Sequence, residues 1–209
     1  MEAESGSNRA PFHSPAMTIA SQVARRLRQL GVVIFVALLL GGAYVGSLRL
    51  TGNFNPVVDG EVYRSAQLSP VEISTFAKAY GIKTIINLRG ANPGKAWYDG
   101  EVAEARELGV AHLDFRMSAR HELTVTQAAD LLALMKQAEK PLLIHCEAGA
   151  DRSGLAAALY LAVVKKESPA EAAGQLSFRY GHFSLPFVPE YAMDRSFETL
   201  RPSLAVLAQ

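Results

Sequence analysis

The stretch LLIHCEAGADRSGLAAAL, residues 142–159, joins an apolar, strand-like run to an apolar, helix-like run through a loop with two glycines. It contains the single cysteine of the chain, Cys146, and places Arg152 six positions later. In a strand, loop and helix N-terminus of this kind, backbone N–H groups converge on one point, with the positive end of the helix dipole behind them. The stretch therefore predicts a cradle for an oxyanion rather than an ordinary turn.

Two side chains make this predicted cradle reactive. The N–H groups that hold an oxyanion also stabilise a thiolate on Cys146, which attacks phosphorus as a nucleophile. The planar guanidinium of Arg152 has the donor geometry to bind two oxygens of a phosphate. A lone cysteine at a strand end is by itself more often a small buried hydrophobic residue, so the prediction depends on the whole pattern.

The composition limits the other possibilities. The chain has 209 residues, 49% of them hydrophobic, which is enough for one domain with a proper core and an appendage. One cysteine forms no intramolecular disulfide, so packing must stabilise the fold. The net charge of +1 gives no basic footprint, and we expect no nucleic acid among the partners.

Strand-like and helix-like segments alternate from residue 61 to the helix that follows the loop, and a further helix with a turn and a last helix come after them. This order predicts an α/β fold with a mainly parallel central sheet flanked by helices, and a ligand site beyond the carboxyl ends of the strands. The predicted strands are residues 61–65, 82–88, 110–117 and 141–145, and the predicted helices are 69–81, 96–109, 124–140, 153–166, the region 168–183 and 188–200.

The N-terminal region differs from the rest of the chain. We interpret residues 1–29 as a tail without regular structure that ends in basic residues, and 30–48, uncharged and mostly apolar, as one transmembrane helix. A cleaved signal sequence is the alternative. A linker, 49–58, would then lead to the catalytic domain, 59–209.

The charges around the predicted span favour one orientation. Arg25, Arg26 and Arg28 precede it, whereas only Arg49 follows it closely. The positive-inside bias predicts a single-pass protein with a cytoplasmic N-terminus and a catalytic domain on the outer, periplasmic or extracytoplasmic, side. If the signal is cleaved, the domain is secreted.

The sequence HCEAGADRS matches the H-C-x-x-G-x-x-R-[S/T] signature of the cysteine-dependent protein tyrosine and dual-specificity phosphatases. The segments DGEVYRSAQLSP and IKTIINLRG also resemble the start of compact dual-specificity-like phosphatases, so the resemblance spans roughly residues 55–180. It implies that Cys146 forms a phosphocysteine intermediate, that Arg152 binds phosphate and stabilises the transition state, and that Ser153 helps the thiolate leave. His145 would be structural, and neither a metal nor an organic cofactor would be needed.

Arg89 and the loop itself are the candidates for contacts with the substrate phosphate, although an arginine at a strand end is often part of a structural ion pair. Arg89 follows a strand at the predicted catalytic edge, where it would touch the substrate or brace the loop. The remaining contacts would come from the loop itself, namely Glu147, Ala148, Gly149, Ala150, Asp151 and Arg152.

Other functions remain possible for a cysteine in such a cradle. Rhodanese-like sulfurtransferases usually have four residues between cysteine and arginine, whereas five intervene here, which favours phosphate. A phosphate-binding module without turnover and a phosphoinositide phosphatase are further alternatives. Because the acidic Glu147 and Asp151 oppose the binding of polyanions, we expect single phosphate groups on protein or on a small ester.

The general acid of the reaction is not obvious from the sequence. Phosphatases of this family normally place an aspartate in a mobile loop, but the corresponding segment SARHE contains none. Three carboxylates are candidates. Asp151 occupies the position that is an aspartate in myotubularin and Sac-type lipid phosphatases, Glu122 lies in the expected loop, and Asp114 lies in the strand before it.

Overall fold

The computed structural model describes residues 15–208, and the side chains from residue 21 onward. The chain divides into two compact units, Met1–Tyr44 and Val45–Gln209. The first described element is helix α1, Pro15–Leu50, whose last turns belong to the second unit. Residues 1–14 of the predicted tail lie outside the described residues.

Helix α1 contains the predicted span, residues 30–48, and extends beyond both of its ends. The prediction of an unstructured tail is wrong for residues 15–29, because this segment is rich in good helix formers and has no internal glycine or proline. Among the described residues, Ser21–Leu50 is the helix long and apolar enough to cross a membrane. A signal sequence meets the same criteria of length and composition.

Five strands form one sheet within the described part of the chain: β1 Asn55–Val58, β2 Val62–Ser65, β3 Thr84–Asn87, β4 Ala111–Asp114 and β5 Leu142–His145. Their order is β1–β2–β5–β3–β4, with β1 antiparallel to β2 and the other pairs parallel. The predicted α/β class with a mainly parallel sheet is confirmed. The predicted linker is wrong for residues 55–58, because Asp59 and Gly60 form a turn, with φ +72° at the glycine, that folds this segment back onto β2.

Seven further α-helices lie in the described part of the second unit: α2 Pro70–Tyr80, α3 Ala96–Glu107, α4 Val125–Gln137, α5 Arg152–Val163, α6 Pro169–Ala173, α7 Ala192–Leu200 and α8 Leu204–Leu207. Sequence signals fix several of their starts. Ser69 and Glu72 form a capping box at α2, and Thr124 and Gln127 form another at α4. Each box satisfies backbone N–H groups that have no acceptor within the helix.

Alternate residues of the central strands pack on opposite faces of the sheet. Ile86 and Ile144 face a large core built with α4, α5, α7 and α8, whereas Ile85 and Leu143 face a smaller core under α2 and α3. These strands are buried on both sides, which explains their continuous apolar sequence.

The parallel strands end in register at one edge of the sheet. Ser65 and Asn87 both pair with His145, and Asn87 also pairs with Asp114. Four polar residues therefore form one row at the carboxyl edge, where the loop after β5 begins.

Candidate active site

The loop between β5 and α5 is held tightly against the segment that follows β2. Gly149 has φ +70°, and a Cβ atom at this position would lie 2.5 Å from the backbone nitrogen of Ala66 and 2.6 Å from the carbonyl carbon of Ser65. Both the left-handed backbone and this close approach require glycine. The tight packing fixes the path of the loop relative to the sheet.

All four carbonyl groups of residues 147–150 accept hydrogen bonds from outside the loop. Their donors are the Gln67 backbone N–H to Glu147 at 3.2 Å, Asn53 Nδ2 to Ala148 at 3.0 Å, and Arg64 Nη2 to Gly149 at 2.8 Å and to Ala150 at 2.9 Å. In a trans peptide, the C=O and N–H groups point in opposite directions. The N–H groups of residues 148–151 therefore turn toward the inside of the loop and form an anion-binding nest.

Arg64 is the central brace of this loop and was not recognised from the sequence as a functional residue. Its side chain is fully buried, donates to the Gln175 carbonyl at 2.7 Å and stacks on the Tyr180 ring at 4.2 Å. Burial lowers the pKa of Arg64 to about 10, so the guanidinium stays charged at neutral pH. The sequence showed only an arginine in the short predicted strand EVYRS, and an arginine in such a strand usually lies in solvent at the edge of a sheet.

The two residues that the sequence predicts to carry the chemistry lie at the two ends of the loop. Cys146 is 1% exposed, and its Sγ lies 3.5 Å from Oγ of Ser153 on the first turn of α5. Arg152 begins α5, and its buried Nε has no hydrogen-bond partner among the described residues. A buried donor of this kind is normally paired, and a bound oxyanion in the nest would pair it.

His145 lies directly before the cysteine in a buried network. Its Nε2 donates to Oε1 of Glu101 at 2.9 Å, and Nε2 of His112 lies 2.7 Å from the same oxygen. Burial alone raises the pKa of Glu101, but hydrogen bonds from the two histidines and Gln67 hold it at about 2. The glutamate is therefore a fixed negative charge that orients His145 at the strand end.

Arg89 borders the loop from the strand edge of β3. Its Nη1 donates to Oε1 of Gln67 at 2.9 Å, and its guanidinium stacks on the Trp97 ring at 3.6 Å. Burial lowers the pKa of Arg89, while the charge of Glu147 raises it and that of Arg152 lowers it further. Because the Gln67 backbone N–H also donates to the Glu147 carbonyl, Arg89 is linked to the loop through Gln67.

Two of the three candidate acids are engaged away from the loop. Asp114 accepts from Asn87 Nδ2 at 2.8 Å and from the Tyr98 hydroxyl at 2.6 Å, and this bond raises the pKa of Tyr98 to about 12. The Glu122 carboxylate accepts from Arg195 Nε at 2.8 Å, on α7. Neither carboxylate lines the cavity at the loop.

Asp151, the third candidate, is part of a bridge to the C-terminal region. Its Oδ1 lies 2.7 Å from Nδ1 of the buried His182, whose Nε2 lies 2.7 Å from Oδ2 of Asp194. Burial alone lowers the pKa of His182, but hydrogen bonds to the two carboxylates outweigh it, so the pKa is raised. This bridge could not be recognised from the local sequence, because its three residues are far apart along the chain.

A cleft of about 590 Å³ lies over the loop, and we call it the phosphate cleft. Three carboxylates and three arginines are among its lining residues. The segment between β4 and α4 forms one side of the cleft. The lining residues are Arg49, Ser118, Ala119, Arg120, Glu147, Ala148, Asp151, Arg152 and Glu190. Of the three candidate acids, Asp151 is the one that borders this cleft.

In this site a cysteine lies at the end of a central parallel strand, the carbonyl groups of the following loop are held outward, and an arginine begins the next helix. This arrangement defines the Cys-dependent phosphatase class. Comparison with known proteins agrees with this class. Residues 45–170 match the model of the tyrosine phosphatase family, and the chain belongs to this family. It is a Cys-dependent phosphatase, as the signature predicted, and the family match supplies no support for a sulfurtransferase.

Solved structures share the fold. P. aeruginosa TpbA is 22% identical with a TM-score of 0.56, over 73% of this chain and 91% of that chain. A TpbA cysteine-to-serine variant in complex with pTyr is 21% identical with a TM-score of 0.57, over 74% and 91%. The core catalytic domain of the PP-IP phosphatase SIW14 from S. cerevisiae, in complex with citrate, is 18% identical with a TM-score of 0.56, over 74% and 91%. No curated protein matches the sequence significantly.

Proposed function

We propose that the protein hydrolyses phosphate monoesters with Cys146 as the nucleophile and Arg152 as the phosphate-binding residue. The observation that carries this proposal is the loop itself, in which every carbonyl of residues 147–150 is held outward. The inward N–H groups and the unpartnered Nε of Arg152 then meet the equatorial oxygens of a phosphoryl group. Glu147 to Asp151 bind through their backbone, and Arg89 braces the rim.

The reaction proceeds in two steps. The Cys146 thiolate forms a bond to phosphorus as the bond from phosphorus to the ester oxygen breaks, and the alcohol leaves with a proton. Water then attacks the phosphocysteine, the S–P bond breaks, and inorganic phosphate is released. Ser153 Oγ, 3.5 Å from the sulfur, donates a hydrogen bond to the thiolate as it leaves.

We assign the proton transfers to Asp151, because it borders the phosphate cleft whereas Asp114 and Glu122 do not. When His182 is protonated, one ring N–H donates to Asp194 and the other donates to Asp151 across the two 2.7 Å contacts. The proton donated to Asp151 passes to the leaving oxygen through the Asp151 carboxyl, and the pair regains it from the attacking water. Glu122 and Asp114 remain the alternatives, each held by its own partners.

The proposed substrates carry a single phosphate group. Glu147 and Asp151 add negative charge at the cleft, which disfavours polyphosphorylated ligands such as phosphoinositides. Phosphoprotein and small phosphoesters fit this restriction, and the related fold of TpbA has been solved with pTyr.

We also propose that α1 anchors the enzyme in a membrane, with the catalytic domain on the outer side. The cluster of Arg25, Arg26 and Arg28 before the apolar stretch supports this orientation. A reporter enzyme that is active only in the cytoplasm, fused after residue 209, should then be silent. An active reporter would show that the orientation is the reverse.

Turnover of para-nitrophenyl phosphate by the full chain in detergent, with a chelator present, tests the proposed chemistry. Cys146→Ser should abolish turnover, and Arg152→Lys should lower kcat/KM by about 10²- to 10³-fold, because lysine cannot replace the forked donors. If the protein binds phosphate but shows no turnover that depends on Cys146, it is a phosphate-binding module instead.

The acid is identified by pH–rate profiles of Asp151→Asn, Glu122→Gln and Asp114→Asn. For a substrate with a poor leaving group, such as phenyl phosphate, Asp151→Asn should lower kcat by roughly 10²- to 10⁴-fold and remove the alkaline limb. The effect should be small for para-nitrophenyl phosphate. An unchanged alkaline limb in Asp151→Asn would exclude this residue as the acid.

A further inference from the structure

A second cavity, of about 330 Å³, adjoins the phosphate cleft, and we call it the apolar pocket. Its walls come from Val45 and Leu48 in the last turns of α1 and from Phe183, Leu185 and Val188 in the segment before α7. The lining is mostly carbon, unlike that of the phosphate cleft. The proposed chemistry makes no use of this pocket.

The apolar pocket and the phosphate cleft are continuous along the catalytic loop. Ala148 and Asp151 border both cavities, and so do Arg49 and Glu190 on the opposite side. A single molecule with a phosphate in the cleft can therefore extend its remaining part into the pocket without leaving the protein surface.

Apolar side chains in the pocket wall and next to it are exposed. Phe183 and Leu185 of the wall are 44% and 40% exposed. Phe178, whose ring contacts Phe183 edge-on, and Phe187, next to Val188 in the chain, are 46% and 81% exposed. Soluble surfaces seldom concentrate aromatic and aliphatic side chains in this way, and such patches mark sites that meet an apolar partner. Val45 and Leu48 also belong to Ser21–Leu50, the helix that is long enough to cross a membrane.

We propose that the apolar pocket binds the aliphatic chain of the substrate, and that the preferred substrate is the phosphate monoester of a long-chain alcohol at a lipid surface. This proposal rests on the proposed function, because the phosphate of the same molecule must reach Cys146. A peptide fits the pocket less well, because its backbone polar groups would be buried against carbon with few partners.

The volume sets how much chain the pocket holds. About 330 Å³ has room for on the order of ten methylene groups, at about 30 Å³ for each water-sized group. Burial of each methylene should raise kcat/KM by roughly two- to fourfold until the pocket is full. The dependence on chain length should therefore level off at about ten carbons.

The test uses the full chain in phosphatidylcholine vesicles and measures phosphate release from butyl, hexyl, octyl, decyl and dodecyl phosphate. Leu185→Asp places a charge in the pocket wall, and Phe183→Ser is a second, milder variant. Val71→Asp, at a 76% exposed position on α2, is the matched control. Longer esters partition into the vesicles equally for every variant, so the ratio of wild-type to variant kcat/KM isolates the pocket.

We expect this ratio to rise with chain length for Leu185→Asp, to at least tenfold for decyl phosphate, and to stay near one for Val71→Asp. Phe183→Ser should follow the same trend with a smaller slope. A ratio that does not depend on chain length in either pocket variant would overturn the proposal. An equal loss on a phosphotyrosine peptide would also overturn it, because the pocket would then serve peptides.

Failure of the proposed function would look different. In that case butyl phosphate, which hardly enters the pocket, would show no phosphate release that depends on Cys146. Circular dichroism of each variant checks that the fold is retained.

Discussion

The substitution His182→Gln removes the charged link between the catalytic loop and the C-terminal region. In the wild type, both ring nitrogens of His182 lie 2.7 Å from carboxylate oxygens, one on Asp151 and one on Asp194. Both contacts need an N–H donor, so the ring carries a positive charge between two negative ones. Glutamine keeps much of the volume but carries no charge, and its single amide cannot bridge both carboxylates in the same way.

The size of the effect follows from these contacts. A hydrogen bond to a charged group contributes about 1.5–3 kcal/mol, and removal of one partner of a buried ion pair costs about 3–5 kcal/mol. The side chains of Asp151 and Asp194 are 21% and 18% exposed, so water recovers part of this loss. We expect His182→Gln to lower the free energy of unfolding by about 3 kcal/mol at pH 6, or the Tm by about 6–12 °C for a domain of this size.

The loss of stability in His182→Gln should become smaller as the pH rises. The two carboxylates raise the pKa of His182 above its ordinary value of 6.5, so the folded protein holds this proton more tightly than the unfolded chain. The stabilisation is complete below pH 6.5 and is lost as the pH rises through the raised pKa of the folded state. The gap in Tm between wild type and variant should therefore be widest near pH 6 and should narrow in alkaline solution.

Thermal unfolding of the full chain in detergent, followed by circular dichroism from pH 5.5 to pH 9, measures this gap. His121→Gln is the matched control, because His121 is exposed and contacts Ser118 alone among the described partners. A loss below 1 kcal/mol for His182→Gln, or a gap that stays constant with pH, would refute the reasoning.

Three further predictions concern the loop and its supports. Gly149→Ala should lower kcat/KM by at least about 100-fold, because the Cβ of the alanine displaces the loop. Steady-state kinetics should show no such loss for Gly94→Ala, because Gly94 also has a positive φ, +85°, but no atom lies within 4 Å of an added Cβ there. Arg64→Lys should raise the inhibition constant of orthophosphate about tenfold, because one forked brace is lost. Glu101→Gln should lower the free energy of unfolding by about 3 kcal/mol at pH 7, because the pKa of Glu101 is lowered from 4.5 to about 2 in the folded protein. Denaturant titrations should show that this loss shrinks as the pH falls from 4.5 toward 2.

The elements that the sequence predicted well are those with local signals. Ser69 and Thr124 mark helix starts through capping boxes, and Gly81 ends α2 in the left-handed conformation. The strand Leu142–His145 is a continuous apolar run because helices cover both faces of the sheet. Such signals depend on neighbours in sequence, and they were sufficient to indicate the α/β class.

The parts that the sequence missed depend on contacts between distant residues. Asn53, Arg64 and Gln67 brace the catalytic loop from about 80 to 95 positions away, and none belongs to the signature. His182 lay in a segment predicted only as a helix and a turn, so its pairing with Asp151 had no periodic pattern to reveal it. Strand β1 has four residues and contains Pro56, so its sequence did not differ from that of a linker.

The bond from Asn53 to the catalytic loop sets a practical limit for shortening the protein. Asn53 has a left-handed backbone with φ +45°, and its side-chain amide joins Ala148 to the Tyr180 carbonyl. A fragment that starts at residue 59 keeps the whole signature but lacks this amide and strand β1. Expression fragments for crystallisation or screening should therefore begin near Val45, where the compact unit begins, rather than where the sequence suggests a domain boundary.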